Sequence, residues 1–455
     1  MLFTHNLSKL IVSATLLALV GCSLKPTQPD YNQEIEREKQ TIADWQNDVD
    51  ATGVSDLNDL INAPEVMPWV ETALNNNPSL QQTLLTLLIL EKQHTVAEAA
   101  RLPMVGAGFG ANRIQDSDDS FNSELSISWQ VDLWGQLSDL EQAAQQDIVQ
   151  QSLLLQSARD TLAAEVMSNW LTLIAQQRAA DIESQRLNSL KQTEAFILAR
   201  YQLGLGVLED LDSARTAVAS SEARLTGLRE NQRQQQIFLR TLLGQTELPS
   251  LKALPADYPT VLLPLADLPE QTLARRPDLQ AAYVAILAAD LRTDAAYKDL
   301  LPRLDFQAIL QDAASSPREA LFGAPAWSLL GQLTAPLYEG GQRKATAEIN
   351  ALQTAINYQA YRDQLLTAVT EIEQALSFEQ ALQSQQQSVE KALASAENNL
   401  LQYRESYQNG LRTILDLLTV QQQNFDLQAQ RDDLIYQRLL NRINLGLALG
   451  MEINA

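Results

Sequence analysis

Two rhythms of apolar and polar residues run through this chain, and each occurs twice. From Glu124 to Leu133 the apolar side chains Leu125, Ile127, Trp129, Val131 and Leu133 alternate with Glu124, Ser126, Ser128, Gln130 and Asp132. Alternation puts every second residue on the same face of an extended chain, so the segment reads as a strand with one apolar and one polar face. Just upstream, Val105, Ala107, Phe109 and Ala111 alternate with Gly106, Gly108 and Gly110, and the polar, acidic stretch Gln115 to Asn122 joins the two. The pattern predicts a β-hairpin within residues 103–135. A second lies within 302–338. There Leu304, Phe306, Ala308 and Leu310 alternate with Asp305, Gln307 and Gln311, and Trp327, Leu329, Leu333, Ala335 and Leu337 with Ser328, Gln332 and Thr334.

The other rhythm is helical. Neither Gln136 to Gly244 nor Gly341 to Gly450 contains a proline, and both are filled with Ala, Leu, Gln, Glu and Arg, most of them good helix formers. Each stretch reads as a long helix, a tight turn at Tyr201-Gln-Leu-Gly204 or Tyr407-Gln-Asn-Gly410, and a long antiparallel return. A helix from Gln136 to Leu203 would extend roughly 100 Å, too long to wrap a globular core. On the first return, Leu211, Ala214, Val218, Ser221, Leu225 and Leu228 recur at spacings of three and four, the seam of a coiled coil. Ahead of the first strands, residues 73–101 read as one helix stopped by Leu102-Pro103. Residues 22–63 read as a polar tether, with room for a short helix within Glu34 to Val49.

The chain is a tandem duplication. Asn76-Asn-Pro-Ser-Leu80 returns as Arg275-Arg-Pro-Asp-Leu279, and Leu102-Pro103 as Leu301-Pro302, at an offset of 199 residues. Tyr201 returns as Tyr407, Asp210 as Asp416 and Leu243-Gly244 as Leu449-Gly450 at an offset of 206. The shift falls in the strand region, where loops accept insertions. The alternating strands suit either a membrane barrel, with Trp129 and Trp134 as interface anchors, or a soluble hairpin with one buried face. If they stand in a membrane, four strands cannot enclose a space and open edges are not viable in lipid. Other chains must then complete the sheet.

Composition narrows the function. The 455 residues carry a net charge of −23, which excludes a basic nucleic-acid footprint. Histidine occurs only at His5 and His94, no nucleotide-binding or redox motif appears, and the carboxylates are spread along helical faces rather than clustered. The chain reads as a non-enzyme without a catalytic cofactor or metal. The single cysteine, Cys22, follows an apolar run from Leu10 to Val20, too short to span a membrane and typical of a secretory signal. Leu19-Val20-Gly21-Cys22 resembles the lipobox of bacterial lipoproteins. That resemblance implies removal of residues 1–21, diacylglycerol and N-palmitoyl groups on Cys22, and, with Ser23 following, sorting to the outer membrane.

Ala274-Arg-Arg-Pro-Asp-Leu279, Ala335-Pro-Leu-Tyr-Glu-Gly-Gly341, Ala199-Arg-Tyr-Gln-Leu-Gly204, Tyr407-Gln-Asn-Gly410 and the two Leu-Gly helix ends, in this order after a lipobox, resemble the TolC-like outer-membrane factor family in its lipoprotein efflux branch. The resemblance implies a mainly α fold with four strands per chain. It also implies a homotrimer with a twelve-stranded β-barrel and a periplasmic α-helical barrel, and partnership with a periplasmic adaptor and an inner-membrane pump. The implied domains are a signal at 1–21, a lipid-anchored linker at 22–63, one repeat at 64–245, a linker at 246–266 and a second repeat at 267–455. The implied function is an outer-membrane exit duct for drugs or other small solutes, working by gated passive passage. A type I protein-secretion duct shares the architecture, and a periplasmic coiled-coil adaptor or spacer lipoprotein is the reading from another class. By resemblance Gly204 and Gly410 mark adaptor-contacting tips. Asp416, Arg412, Tyr407 and Asp210 border a periplasmic aperture, with Arg412 and Asp210 as a weak charged pair, and Thr419 stands where relatives carry a second acid.

The lipobox generates a direct test: labelled palmitate is expected to enter the wild-type protein and not Cys22→Ser, and equal labelling of both would rule out lipidation at Cys22.

Overall fold

The computed structural model describes residues 29–41, 61, 63–116, 118–247, 254–255, 257–259 and 275–451. Cys22, the expected signal segment and most of the 246–266 linker lie outside the described residues. In chain order the elements are α1 (Tyr31–Thr41), α2 (Met67–Asn76), α3 (Pro78–Ala99), β1 (Met104–Asn112), β2 (Ser120–Val131), α4 (Gln136–Gln202), α5 (Leu208–Leu242), α6 (Pro277–Lys298), β3 (Arg303–Ala314), α7 (Pro317–Phe322), β4 (Ala326–Thr334), α8 (Gln342–Gln408) and α9 (Ile414–Ala448). The helix expected over 73–101 is two helices. A residue before proline is driven out of the helical region, and Asn77 is extended at ψ 120°. Its side-chain oxygen then caps α3, accepting from the N–H groups of Ser79 at 2.9 Å and Leu80 at 3.1 Å, as capping residues do.

The described structure divides into two compact units, neither of which is one sequence repeat. One comprises α1, Leu84–Leu154 and Asp278–Leu365; the other draws on Leu155–Pro277, Leu366–Ala455 and the helical segment before Leu84. Each unit takes material from both copies because strands and helices of one copy pack on those of the other.

In the first unit the two predicted hairpins join. β2 pairs with β3 as well as with β1, giving one antiparallel sheet of order β1-β2-β3-β4. The register keeps the alternation in phase across all four strands. Ala107, Leu125, Leu310 and Trp327 form one cross-strand row, and Val105, Ile127, Ala308 and Leu329 the next. The opposite face carries Gly106, Ser126, Ile309 and Ser328 in one row and Gly108, Glu124 and Gln311 in another. The apolar face is open: Trp327 is 78% and Leu329 69% exposed. Trp129 donates its indole N–H to the Arg101 carbonyl at 2.9 Å and Trp134 to that of Pro302 at 2.7 Å, both at the helix-side ends of the strands.

The same unit seats the N-terminal helix. Ile35 is buried, Tyr31 packs on the Tyr358 ring at 4.9 Å, the Tyr283 hydroxyl donates to Asn32 at 3.0 Å, and Arg362 pairs with Glu38 at 2.5 Å. The helix therefore starts three residues before the expected Glu34 and belongs to the folded body rather than to a bare tether.

In the second unit an apolar base joins Val66 and Val70 to Val166, Trp170, Leu173 and Ile174 of α4, Leu239 of α5 and Leu439 and Ile443 of α9. The duplication is visible here in individual hydrogen bonds. Asn77 donates to the Leu242 carbonyl at 2.9 Å, and its counterpart Arg276 donates to that of Ala448, the counterpart of Leu242, at 3.1 Å. Gly244 and Gly450 end α5 and α9 with positive φ. Each is followed by the six-to-one bond of a Schellman motif, Gln245 N–H to Arg240 and Met451 N–H to Gly446, which satisfies carbonyls left open at a helix end.

A methyl group on Gly244 would lie 2.3 Å from the Asn76 carbonyl oxygen. Gly244→Ala is therefore expected to destabilise this corner by at least about 1–3 kcal/mol, the cost of strained left-handed backbone alone. A lowered urea midpoint checks this, and an unchanged one would refute it.

Candidate functional site

The far ends of the hairpins bring the predicted residues into one place. α4 and α8 each stop in a Schellman motif: Leu205 N–H bonds to the Arg200 carbonyl at 2.9 Å and Leu411 N–H to that of Ser406 at 2.9 Å. Gly204 and Gly410 sit between at φ 70° and 76°. A methyl group at either would touch nothing within 4 Å. Glycine is needed there for the left-handed turn and not for space.

Beyond the turns the two copies diverge. Asp210 and Asp416 both occupy the third position of a return helix, but Thr413 precedes α9 where Val207 precedes α5. Thr413 and Asp416 form a reciprocal capping box. The Thr413 N–H donates to Asp416 Oδ2 at 3.0 Å, the Thr413 hydroxyl donates to the same oxygen at 2.8 Å, and the Asp416 N–H donates to the hydroxyl at 3.2 Å. These bonds, with the nearby Arg412 charge, hold the Asp416 carboxyl below its ordinary pKa. Val207 makes no such cap, and Asp210 instead adds its field to Tyr407.

Tyr407 is buried in a knot that joins both hairpins: Ile197 of α4, Leu211 and Ala214 of α5, and Ile414 and Leu417 of α9. Its ring meets Phe196 edge-on at 5.9 Å and lies under the Arg200 guanidinium at 5.7 Å. Burial, opposed by Arg200, pushes its hydroxyl pKa up. Arg412 departs from expectation. Among the described residues it is not paired with Asp210, and its guanidinium lies 4.8 Å above the Tyr403 ring. A wet ion pair is worth little, and stacking keeps the cation hydrated while covering an aromatic face. Thr419, in the place of a second acid, turns its hydroxyl back to the Leu415 carbonyl at 2.7 Å. Sequence reasoning gave no role to Phe196, Arg200 and Tyr403, although Arg200 lies inside the Ala199–Gly204 motif and each aromatic sits near a tip glycine.

Between base and tip both apolar and polar contacts join the helices. Within the first hairpin Ala180, Leu187 and Leu190 pack on Val218 and Leu225, and within the second Leu382 and Val389 pack on Leu434. Of the expected seam residues, Leu211, Ala214, Val218, Ser221 and Leu225 are buried and Leu228 is partly buried. The hairpins also hold buried polar contacts, Ser221 donating to Glu183 at 2.5 Å and Arg438 and Arg442 pairing with Glu379 at 2.7 and 2.9 Å. Where α4 meets α9, polar bonds follow one another. The hydroxyls of Thr172 and Tyr436 bond at 2.8 Å, and Arg178 pairs with Asp432 at 2.6 Å. Further along, Arg186 pairs with Asp426, and Gln421 donates to Thr193 at 3.3 Å. Asp432 also accepts from Tyr258 of the inter-repeat segment at 3.1 Å.

A family profile described as outer membrane efflux protein matches residues 69–245 and 268–451, both copies of the repeat. The chain belongs to that family. It is an outer-membrane channel protein of export systems, and the adaptor or spacer reading falls away. The chain is similar to the cation efflux system protein CusC of Escherichia coli O6:H1, 27% identical with 97% of this chain and 98% of that one covered. It is also similar to the outer membrane protein OprJ of Pseudomonas aeruginosa, 29% identical over 96% and 95%. SilC of Salmonella typhimurium, described as a probable outer membrane lipoprotein, is 24% identical over 97% and 98%. In fold it matches a membrane protein of Pseudomonas aeruginosa at a TM-score of 0.81 and 24% identity, covering 90% of this chain and 100% of that one. It matches the open-state MtrE channel of Neisseria gonorrhoeae at 0.80 and 20%, covering 94% and 97%. Among the described residues no helix is long and apolar enough to cross a membrane.

Because the Asp416 pKa is depressed, its support for the start of α9 is present above the ordinary carboxylate pKa and is lost only as pH falls through the lower folded value. Amide-exchange protection of the first turn of α9 is thus expected to hold from neutral pH down to about pH 4. Thr413→Ala should bring the loss to higher pH; identical profiles would contradict the assignment.

Proposed function

We propose that three copies of this chain form one duct, with β4 of each pairing to β1 of the next, and that the hairpin tips close its periplasmic mouth. The observation that carries this is the sheet: an open apolar face with unpaired edges at β1 and β4. Unpaired backbone in hydrocarbon costs several kcal/mol per group, and pairing edge to edge in a ring removes it without a new kind of strand. The polar face then lines the passage. Lipid on Cys22 anchors the assembly at the outer membrane, in keeping with the description of SilC as a lipoprotein. An adaptor and an inner-membrane pump complete the system, with the turns at Gly204 and Gly410 as the adaptor contacts. Passage along the duct is passive, and the partner pump drives it.

The tips act as the gate. The base core is apolar and the tip knot is apolar, while the α4–α9 contact between them is polar. Polar contacts can exchange with water at little net loss, so releasing the knot lets one hairpin move against the other about the fixed base. Tyr407 is the centre of that knot. Asp416 contributes charge at the mouth, three copies favouring cations there, and the start of α9 through its cap. The relatives are named for efflux, among them a cation system and systems for pyoverdine and toluene. This range favours efflux over protein secretion and leaves cargo choice to the pump.

Purified protein in planar bilayers tests the reading. Tyr407→Ala, which removes packing worth about 3–5 kcal/mol for a buried ring, is expected to raise single-channel conductance and open time. Asp416→Asn keeps a cap acceptor and removes the charge, so it is expected to lower cation selectivity with less loss of closure than Asp416→Ala. A monomeric protein that never conducts would refute the duct. Normal conductance unaffected by either position would refute the gate alone.

A further inference from the structure

The connection between β3 and β4 holds α7, and α7 lies on the apolar face of the sheet rather than over its polar face. That apolar face has one polar interruption. One row beyond Leu125 and Leu310, towards the end of the sheet away from the long helices, stand Ser123 and Asp312, which are register partners. α7 covers them. The Ser123 hydroxyl donates to the Ala320 carbonyl, Ala320 is buried, and Gly323 passes so near Asp312 that a methyl group there would lie 2.5 Å from its Oδ2. Ser316 caps the helix by accepting from the Glu319 N–H at 3.3 Å.

The side of α7 turned away from the sheet carries Arg318, Leu321 and Phe322, at the three- and four-residue spacing that shares one helix face. Leu321 is 53% and Phe322 82% exposed. Arg318 has no ion-pair partner among the described residues. The helix thus replaces a polar row with an apolar surface continuous with Leu125, Leu310 and Trp327. A short helix with two large apolar side chains and a cation on its free face has the composition of an interfacial element.

We propose that α7 is a lipid-contacting element, seated on the outside of the barrel in the outer leaflet, with Leu321 and Phe322 among acyl chains. It would then leave the mouth of the passage uncovered. The inference rests on the sheet standing in the membrane, and three positions separate the two. The full chain is reconstituted in vesicles of phosphatidylethanolamine and phosphatidylglycerol, with a nitroxide label on Phe322→Cys. Leu329→Cys reports the apolar face and Ser126→Cys the polar face. The parent chain, whose only cysteine is Cys22, gives the background. The expected result is that dissolved oxygen relaxes the Phe322→Cys label strongly and an aqueous nickel chelate relaxes it weakly, as for Leu329→Cys. Chelate access at Phe322→Cys equal to that at Ser126→Cys, with Leu329→Cys still protected, overturns the proposal alone. Chelate access at Leu329→Cys as well overturns both.

Discussion

Hydrocarbon offers no hydrogen bonds, and that constraint organises everything else in this protein. A sheet can stand in it only if every backbone group finds a partner within protein. Four strands of nine to twelve residues pair among themselves at three interfaces and leave β1 and β4 with a bare edge each. The duplication supplies the inner pairing, since β2 of the first copy meets β3 of the second. Only association of whole chains supplies the outer one. The apolar face would be a liability in water, where long exposed apolar edges invite aggregation. In lipid it is the fitting surface.

The helical part obeys the opposite solvent. In water the apolar contacts hold and the polar ones exchange, and this chain uses both. Apolar clusters fill the base and the tip and recur within each hairpin. Ion pairs and hydroxyls mark the join between α4 and α9, and buried polar contacts also tie each hairpin together, at Glu183 with Ser221 and at Glu379 with Arg438 and Arg442. The aspartates at the two tips have diverged. One duplicated position has become a cap at Asp416 and a partner of the aromatic knot at Asp210, and the difference turns on threonine or valine three residues earlier.

Much of this was legible in the chain itself. Strict alternation placed all four strands, and three-four spacing placed the buried face of α5, because both follow from backbone geometry alone. The repeat offset placed the tips. What failed depended on local or distant partners that no period encodes. Residues 73–101 looked like one helix because Pro78 was outweighed by the leucines around it. The pairing of Arg412 with Asp210 rested on charge, whereas Tyr403, nine residues before Arg412, was the nearer surface. The knot around Tyr407 needed Phe196 and Arg200 from the other hairpin, more than two hundred residues away in sequence. The β2–β3 pairing was invisible for the same reason.

That pairing fixes an order of assembly. Val131 meets Leu304 only after all of α4, α5 and α6 has been made. Contacts between positions so far apart in sequence form late, because the closure entropy of the loop must be met before the contact rewards it. The first hairpin must therefore wait, its apolar face uncovered, while the first helical hairpin folds and the second copy follows. Exposed strands of this kind are what holding chaperones bind. Until the second copy has been made, β2 keeps a bare edge that must be shielded from other strands.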